Sequence, residues 1–583
     1  MHHLSGITRL ALAGLMATTS IIALPHGVAA QDGQAGGTLR ILGTADIDHF
    51  DPTSAALVTS NNFLRAVTRQ LISYAASTDE TVRITPEGDL ATEVPQPTND
   101  GLTYTFKLRQ GAQWNAPSGA RQITSADFER GIKRMCNPLL GSAALTYYQD
   151  LIAGLAEFCA GFSKVEPTVE AMKAYIEGND IAGIETPDDQ TIVINLTQKA
   201  GDFIYMLSLP TSAPAPVEVL DYLPDSPDYR NNFIASGPYT PGAYTPDSSL
   251  QLVRNPAWTP ESDPLRKAYV DDIQITFGLQ PDAVLQQLQS GDGDMTFDIT
   301  IPPAILQLLT ATDDEKLMTV SSGATAFLFI NTVSENNNGA LRDLKVRQAL
   351  NYAIDKAAIV QQSGGPTVGQ PVNGIFGPGV LGYHDFDLYP SPEAKGDPAK
   401  AKELLAEAGY PDGITLKMPF RNQNNEPAIA QTIQASMAAS GITLELTPVA
   451  PADYYSKFMT NPVNTKDGTW DIAPVGWTPD WAGGSARSVF QPQFSFNGTH
   501  QTYNYTDYNN PKANDLAQQA INATTPEEVA RLWGQVDELV MADAPVVPYL
   551  ANKVVLYRSA AVQNFQPYAL GVQGDWTNVW IQR

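Results

Sequence analysis

The segment Asp397–Gly413 constrains the fold of this chain more than any other. It carries a short helix together with its start and stop signals. Asp397 suits the N-cap and Pro398 the first helical position. Leu404, Leu405 and Ala408 make an apolar stripe, and Gly409 suits the left-handed residue that ends a helix. Pro411-Asp412-Gly413 then turns the chain into the alternating run Ile414-Thr415-Leu416-Lys417-Met418, which reads as a strand. A further helix through Ile429, Ile433 and Met437 ends at Gly441, and Ile442, Leu444 and Leu446 alternate as another strand. Helices alternating with strands predict an α/β unit with a largely parallel sheet.

The other half of the chain reads differently. Thr38–Leu42 is an expected first strand. Leu102–Leu108 alternates with period two, and Thr191–Leu196 is an apolar strand after a turn at Asp188-Asp189. Thr124 or Ser125 caps a helix that begins with acidic residues. The Pro-rich run 209–217 is a connector, because it continues neither a helix nor a central strand ladder. Val346, Ala349, Leu350, Ala353 and Ile354 lie on one helical face. The chain is therefore mixed α/β with at least two cores.

The first thirty residues read as a targeting segment. Arg9 gives a positive start, Leu10–Leu24 an apolar stretch too short to span a bilayer comfortably, and Val28-Ala29-Ala30 a small-residue cleavage site. No Cys lies near it, which argues against a lipoprotein anchor. Export to a periplasm is expected. About 550 residues then remain, room for three to four domains. The 62 acidic residues outnumber the 36 basic ones, giving a net charge of −26. That excess argues against nucleic-acid or anionic-lipid partners, which need cationic surfaces. Cys136 and Cys159 are the only cysteines. In an oxidising compartment they can form one disulfide; two reduced buried thiols are the alternative.

Enzyme signatures are sparse. Without the leader only His49, His384 and His500 remain, far apart and without the spacing of a zinc site. There is no nucleophile elbow. Gly377–Gly382 fits G-x-G-x-x-G as a string, but its Pro-containing context has no strand before it and no helix after it, so it reads as a turn. Paired carboxylates of a glycoside hydrolase are compatible with so acidic a chain. No cofactor and no metal site are expected.

Several blocks, spread in order over the mature chain, resemble the extracytoplasmic solute-binding proteins of peptide/nickel-type ABC importers. They are Asp51-Pro52; Ile181–Ile184 with Asp188–Thr191; Ser236-Gly237-Pro238-Tyr239; Arg254–Trp258; Asp343–Leu350 ending at Ala353-Ile354-Asp355; Asp397–Gly413; and Ala544–Pro548. The resemblance implies a periplasmic-binding-protein-like α/β fold, with two lobes around a hinged cleft and an additional domain beside the first lobe. After the leader at 1–30, it implies lobe I at 31–60, 189–330 and 545–583. The additional domain would occupy 61–188 and lobe III 331–544. The expected function is capture of short peptides in the cleft and delivery to a membrane permease by a monomer, without catalysis. Oligosaccharides, metal chelates, haem or opine-like compounds are alternative ligands, and a secreted glycoside hydrolase is the remote rival.

The same resemblance marks candidate ligand contacts. Gly476-Trp477-Thr478-Pro479-Asp480 is similar to the block lining the cleft of peptide binders. Trp477 would supply an apolar wall, with Thr478 beside it, and Asp480 the carboxylate for a peptide's α-ammonium. The alternative is a surface turn beside a core Trp. Asp46-Ile47-Asp48 resembles the ligand-facing strand, whose backbone pairs with an extended peptide. Arg421 aligns, across one gap, with an Arg that holds the ligand carboxylate in dipeptide binders; the alternative is a solvated surface Arg.

Overall fold

The computed structural model describes residues 33–583 apart from 56, 141, 143, 300, 424, 460, 497–502, 506–507 and 572. The expected leader and His500 lie outside the described residues. No described helix is long and apolar enough to cross a membrane.

The first sheet has five strands in the order Met295–Thr296, Thr38–Leu42, Asp272–Thr276, Ser249–Arg254 and Tyr239–Thr245. Thr38–Leu42 runs parallel to both of its neighbours, in register Thr38 to Asp272 and Ile41 to Met295. Leu39, Ile41, Leu250, Leu252, Ile273 and Ile275 bury one core, with Phe63, Leu64 and Val67 of the helix Ser60–Val67.

A second core lies around the antiparallel strands Thr103–Lys107, Thr191–Asn195 and Ile184–Asp188. The helix Ser125–Arg134 covers it and opens with the expected capping box, Thr124 with Asp127. Cys136 and Cys159 are bridged within this core. The boundary expected at 188/189 needs correction. It cuts the hairpin joining Ile184–Asp188 to Thr191–Asn195, whose hydrogen bonds and buried Ile192 and Ile194 belong to this second core. Helix Ser60–Val67 goes the other way: all but its first residue lies beyond the expected boundary at 60/61, yet it packs on the first sheet.

The third region contains the segment Asp397–Gly413. The helix is Pro398–Glu407, and the Asp397 carboxylate accepts the Lys400 N–H at 2.9 Å. Gly409 follows at φ +93°. Strand Ile414–Arg421 pairs in parallel with Ile442–Val449 across the helix Glu426–Ala438. The largely parallel sheet expected here is limited to that pair. The larger sheet of the region is antiparallel, because two long strands run back through it.

Those strands, Leu317–Ile330 and Val546–Tyr557, pair along most of their length and connect the cores. Met318, Val320 and Val554 pack on the first core, whereas Phe327, Leu328, Val546 and Val547 belong to the third region. Their register breaks between Ser321 and Thr325. Gly323 sits in that break at φ +74°, a conformation that L side chains rarely adopt. Ser322 Oγ fills the gap by donating to Asn552 O at 2.8 Å and accepting the Ala324 N–H at 3.2 Å.

Candidate functional site

The strand Ile472–Trp477 lies antiparallel to Thr325–Ile330, so Trp477 stands opposite Thr325, beside the break in the long strands. Thr478-Pro479-Asp480 then turns toward the helix Ala486–Phe494. A Cβ at Gly323 would stand 3.2 Å from Pro479 Cγ, so the glycine lets this turn pack closely.

Asp480 is the wall common to two cavities. One, of about 110 Å³, runs along the break and is lined by Ser322, Gly323, Arg83, Thr478, Asp480 and Asn61, among others. The other, of about 590 Å³, lies between Tyr147, Asp150 and Gln198 on one side and Trp477, Arg487 and Tyr503 on the other. Together they form a cleft bounded by residues of all three regions.

Within the cleft, solvent reaches Asp480. The surrounding protein strips much of its hydration and raises its pKa, while a hydrogen bond donated by Tyr147 Oη opposes the rise. Among the described residues, no cation pairs with it. Its backbone N–H donates to Ser488 Oγ at 3.2 Å. Tyr147 is itself braced edge-on against Trp481, with ring centroids 4.9 Å apart. Trp477 is half-buried and meets Tyr503 at 5.1 Å, and its indole Nε1 is buried without a partner among the described residues. Arg487 is held by Asp202 at 2.7 Å. Arg83 reaches the smaller cavity from the short helix Glu80–Ile84.

The chemistry on offer is recognition: an accessible carboxylate with reduced hydration, aromatic walls and a cation. Residues 85–486 match the model of the bacterial extracellular solute-binding proteins, family 5 Middle. The chain belongs to that family. It is 26% identical to heme-binding protein A of Haemophilus influenzae over 471 residues, covering 77% of this chain and 76% of that one. It is 25% identical to the probable di/tripeptide-binding protein 5 of Pseudomonas aeruginosa, covering 94% and 96%. Its fold superposes on the clavulanic acid biosynthesis oligopeptide binding protein 2 with a TM-score of 0.81 at 26% identity, covering 94% and 96%. The two-lobe binding-protein architecture follows, and so does an extracytoplasmic role in solute binding.

Of the family-like candidates, Trp477, Thr478 and Asp480 line the cleft. Asp46, Ile47 and Asp48 do not line either cavity. The Asp46 carboxylate accepts Tyr244 Oη at 2.7 Å and the Asp247 N–H at 2.8 Å. Ile47 is in the first core, and Asp48 accepts Ser60 Oγ and the Leu57 N–H. Their side chains brace the loop that follows the first strand, and Val58 and Asn61 are what this part of the chain presents to the smaller cavity. Arg421 is also displaced from its expected role. Its guanidinium is engaged by both oxygens of Glu426, at 2.9 and 2.8 Å. It lies 5.5 Å from the Tyr455 ring centroid, and Tyr505 and Tyr503 separate that ring from Trp477. A doubly bonded guanidinium at that remove is not an open carboxylate receptor in this conformation.

Arg83, Tyr147, Arg487 and Tyr503 carried no sequence signal. Arg83 sits in the short helix Glu80–Ile84, capped by Asp79.

Proposed function

We propose that this solute-binding protein captures short peptides in the cleft and delivers them to an inner-membrane ABC permease, acting as a periplasmic monomer without catalysis. Asp480 carries the reading. An accessible carboxylate with lowered hydration and no cationic partner among the described residues favours an ammonium ligand, because the incoming charge replaces the lost water. Trp477 supplies an apolar wall beside it. Relatives are named for peptides: the periplasmic oligopeptide-binding protein OppA of Haemophilus influenzae at 23% identity and the glutathione-binding protein GsiB of Salmonella typhi at 24%. The break at Gly323 in the long strands is the natural place for the lobes to flex as the cleft closes.

The test is thermal unfolding of protein stripped of ligand, against di- to pentapeptides, oligosaccharides and metal chelates. A ligand that binds only the native state, at a hundred times its Kd, adds about 2.7 kcal/mol. Peptides are expected to raise Tm. A rise with sugars or chelates alone would retire Asp480 as an ammonium anchor, and turnover of chromogenic glycosides would reject a purely binding role.

A further inference from the structure

The buried arginines are of two kinds. Arg65 meets Asp575 at 2.8 Å, Arg69 meets Asp89 at 2.8 Å, and Arg266 meets Asp89 at 3.0 Å. Arg134 is held by Asp51, and Arg487 by Asp202 at 2.7 Å. Arg83 is as buried, with its side chain 5% exposed, but its carboxylate neighbour Glu80 stands 3.6 Å away, beyond hydrogen-bonding distance. Its hydrogen bond to Ser77 O is long, at 3.4 Å. Burial lowers its pKa more than Glu80 and Asp79 raise it, whereas the pKa values of Arg134 and Arg266 are raised. A desolvated guanidinium so weakly compensated is costly to keep. Arg83 lines the same 110 Å³ cavity as Asp480, so the two opposite charges share one chamber.

We propose that Arg83 receives the terminal carboxylate of a short peptide whose α-ammonium rests on Asp480; this rests on the peptide reading above. A guanidinium fork matches a carboxylate with two parallel hydrogen bonds, which Glu80 does not supply at its present distance. The 110 Å³ chamber is small beside its 590 Å³ neighbour, which suits the backbone between the two ends of a short peptide. The first side chain extends past Asp480 into the 590 Å³ chamber, against Trp477 and Tyr503. The site thus selects short zwitterions by reading both ends, and it leaves the side chain loosely specified.

Calorimetry with an apolar dipeptide in free, C-amidated and N-acetylated forms tests this. Each modification should weaken binding to the wild type by about 30-fold or more, the usual size of an effect from breaking a desolvated charge pair. In Arg83→Gln the free and amidated forms should differ by less than about threefold, with the N-acetyl penalty retained. Glu80→Gln should keep full discrimination against the amide, which guards the result against a folding defect in the Arg83 variant. Equal wild-type binding of the free and amidated forms, with the acetylated form rejected, would overturn the role of Arg83 and leave the peptide reading standing. Tighter binding of pentapeptides than of dipeptides would overturn the short-ligand claim. Binding of none of the peptides would overturn both readings.

Discussion

Asp89 and Asp480 are both carboxylates crowded by protein, one sealed from solvent and one open to it, and they meet opposite fates. Asp89 is fully buried where the first two cores join. It receives Arg69 Nε at 2.8 Å on one oxygen and Arg266 Nη1 at 3.0 Å on the other. The same two arginines reach Asp263, whose carboxyl is held well below the usual range. Burial opposes that shift, but the two guanidinium charges and the Trp258 indole outweigh it. Asp480 has only the neutral Tyr147 hydroxyl as a side-chain hydrogen-bond partner among the described residues. Where the fold uses charge for its own cohesion, it completes the pairs internally. In the cleft it leaves Asp480 and Arg83 incomplete, and incomplete charges are what a ligand can complete.

The sharpest way to break this comparison is to remove the internal partner. Asp89→Ala leaves two buried guanidinium groups sharing Asp263, and should cost about 3–5 kcal/mol in chemical denaturation. Ligand affinity of the folded fraction should not change. A loss below about 1 kcal/mol would mean that the network is redundant and the contrast is false. The cleft should behave in reverse. Asp480→Asn should weaken peptide binding by at least about 2 kcal/mol on calorimetry. It should leave stability at neutral pH equal or slightly higher, because the folded-state pKa of Asp480 is raised. A raised carboxyl contributes stability below its unfolded pKa and loses it as pH rises through the folded value, so a neutral amide removes that loss. A variant that loses stability and keeps its affinity would make Asp480 a structural residue.

The two regions also differ in how far they could be read in advance. The helix at Asp397, the parallel pair across Glu426–Ala438 and the capping box at Thr124 were legible because local rules govern them: caps, periodicity and turn residues close in sequence. The boundary expected at 188/189 divides a hairpin, since alternation locates the strand Thr191–Asn195 but not its partner. Trp477 and Asp480 came from a resemblance in one short block and do line the cleft. Arg421 came the same way and is occupied by Glu426, five residues on, a pairing that strand alternation does not announce. Arg83 was invisible for the opposite reason. Its importance lies in a partner that is missing, and its cavity is assembled from segments as far apart as Asn61, Gly323, Asp480 and Leu570.

A third aspartate sharpens the comparison with the smallest expected effect. Asp537, on the helix Pro526–Asp543, is as buried as Asp89 but has no guanidinium partner among the described residues. It accepts the N–H groups of Ile375 at 2.8 Å and Phe376 at 3.4 Å. A Cβ at Gly374 would stand 2.3 Å from its Oδ2, so glycine is needed for that approach. Burial pushes its carboxyl up to about 7, against the pull of the two backbone donors. Relative to an unfolded value near 3.9, this group contributes stability that is complete at acid pH and is lost as pH rises through 7. Asp537→Asn removes the ionisation while its amide oxygen keeps the shorter bond. Between pH 6 and pH 8 the wild type should therefore lose on the order of 1–2 kcal/mol more stability than the variant, read from denaturation at the two pH values. Parallel curves would mean that backbone N–H groups alone hold a buried carboxylate ionised here. The boundary between structural and ligand-seeking charge would then lie in access to the cleft rather than in the presence of a counter-charge.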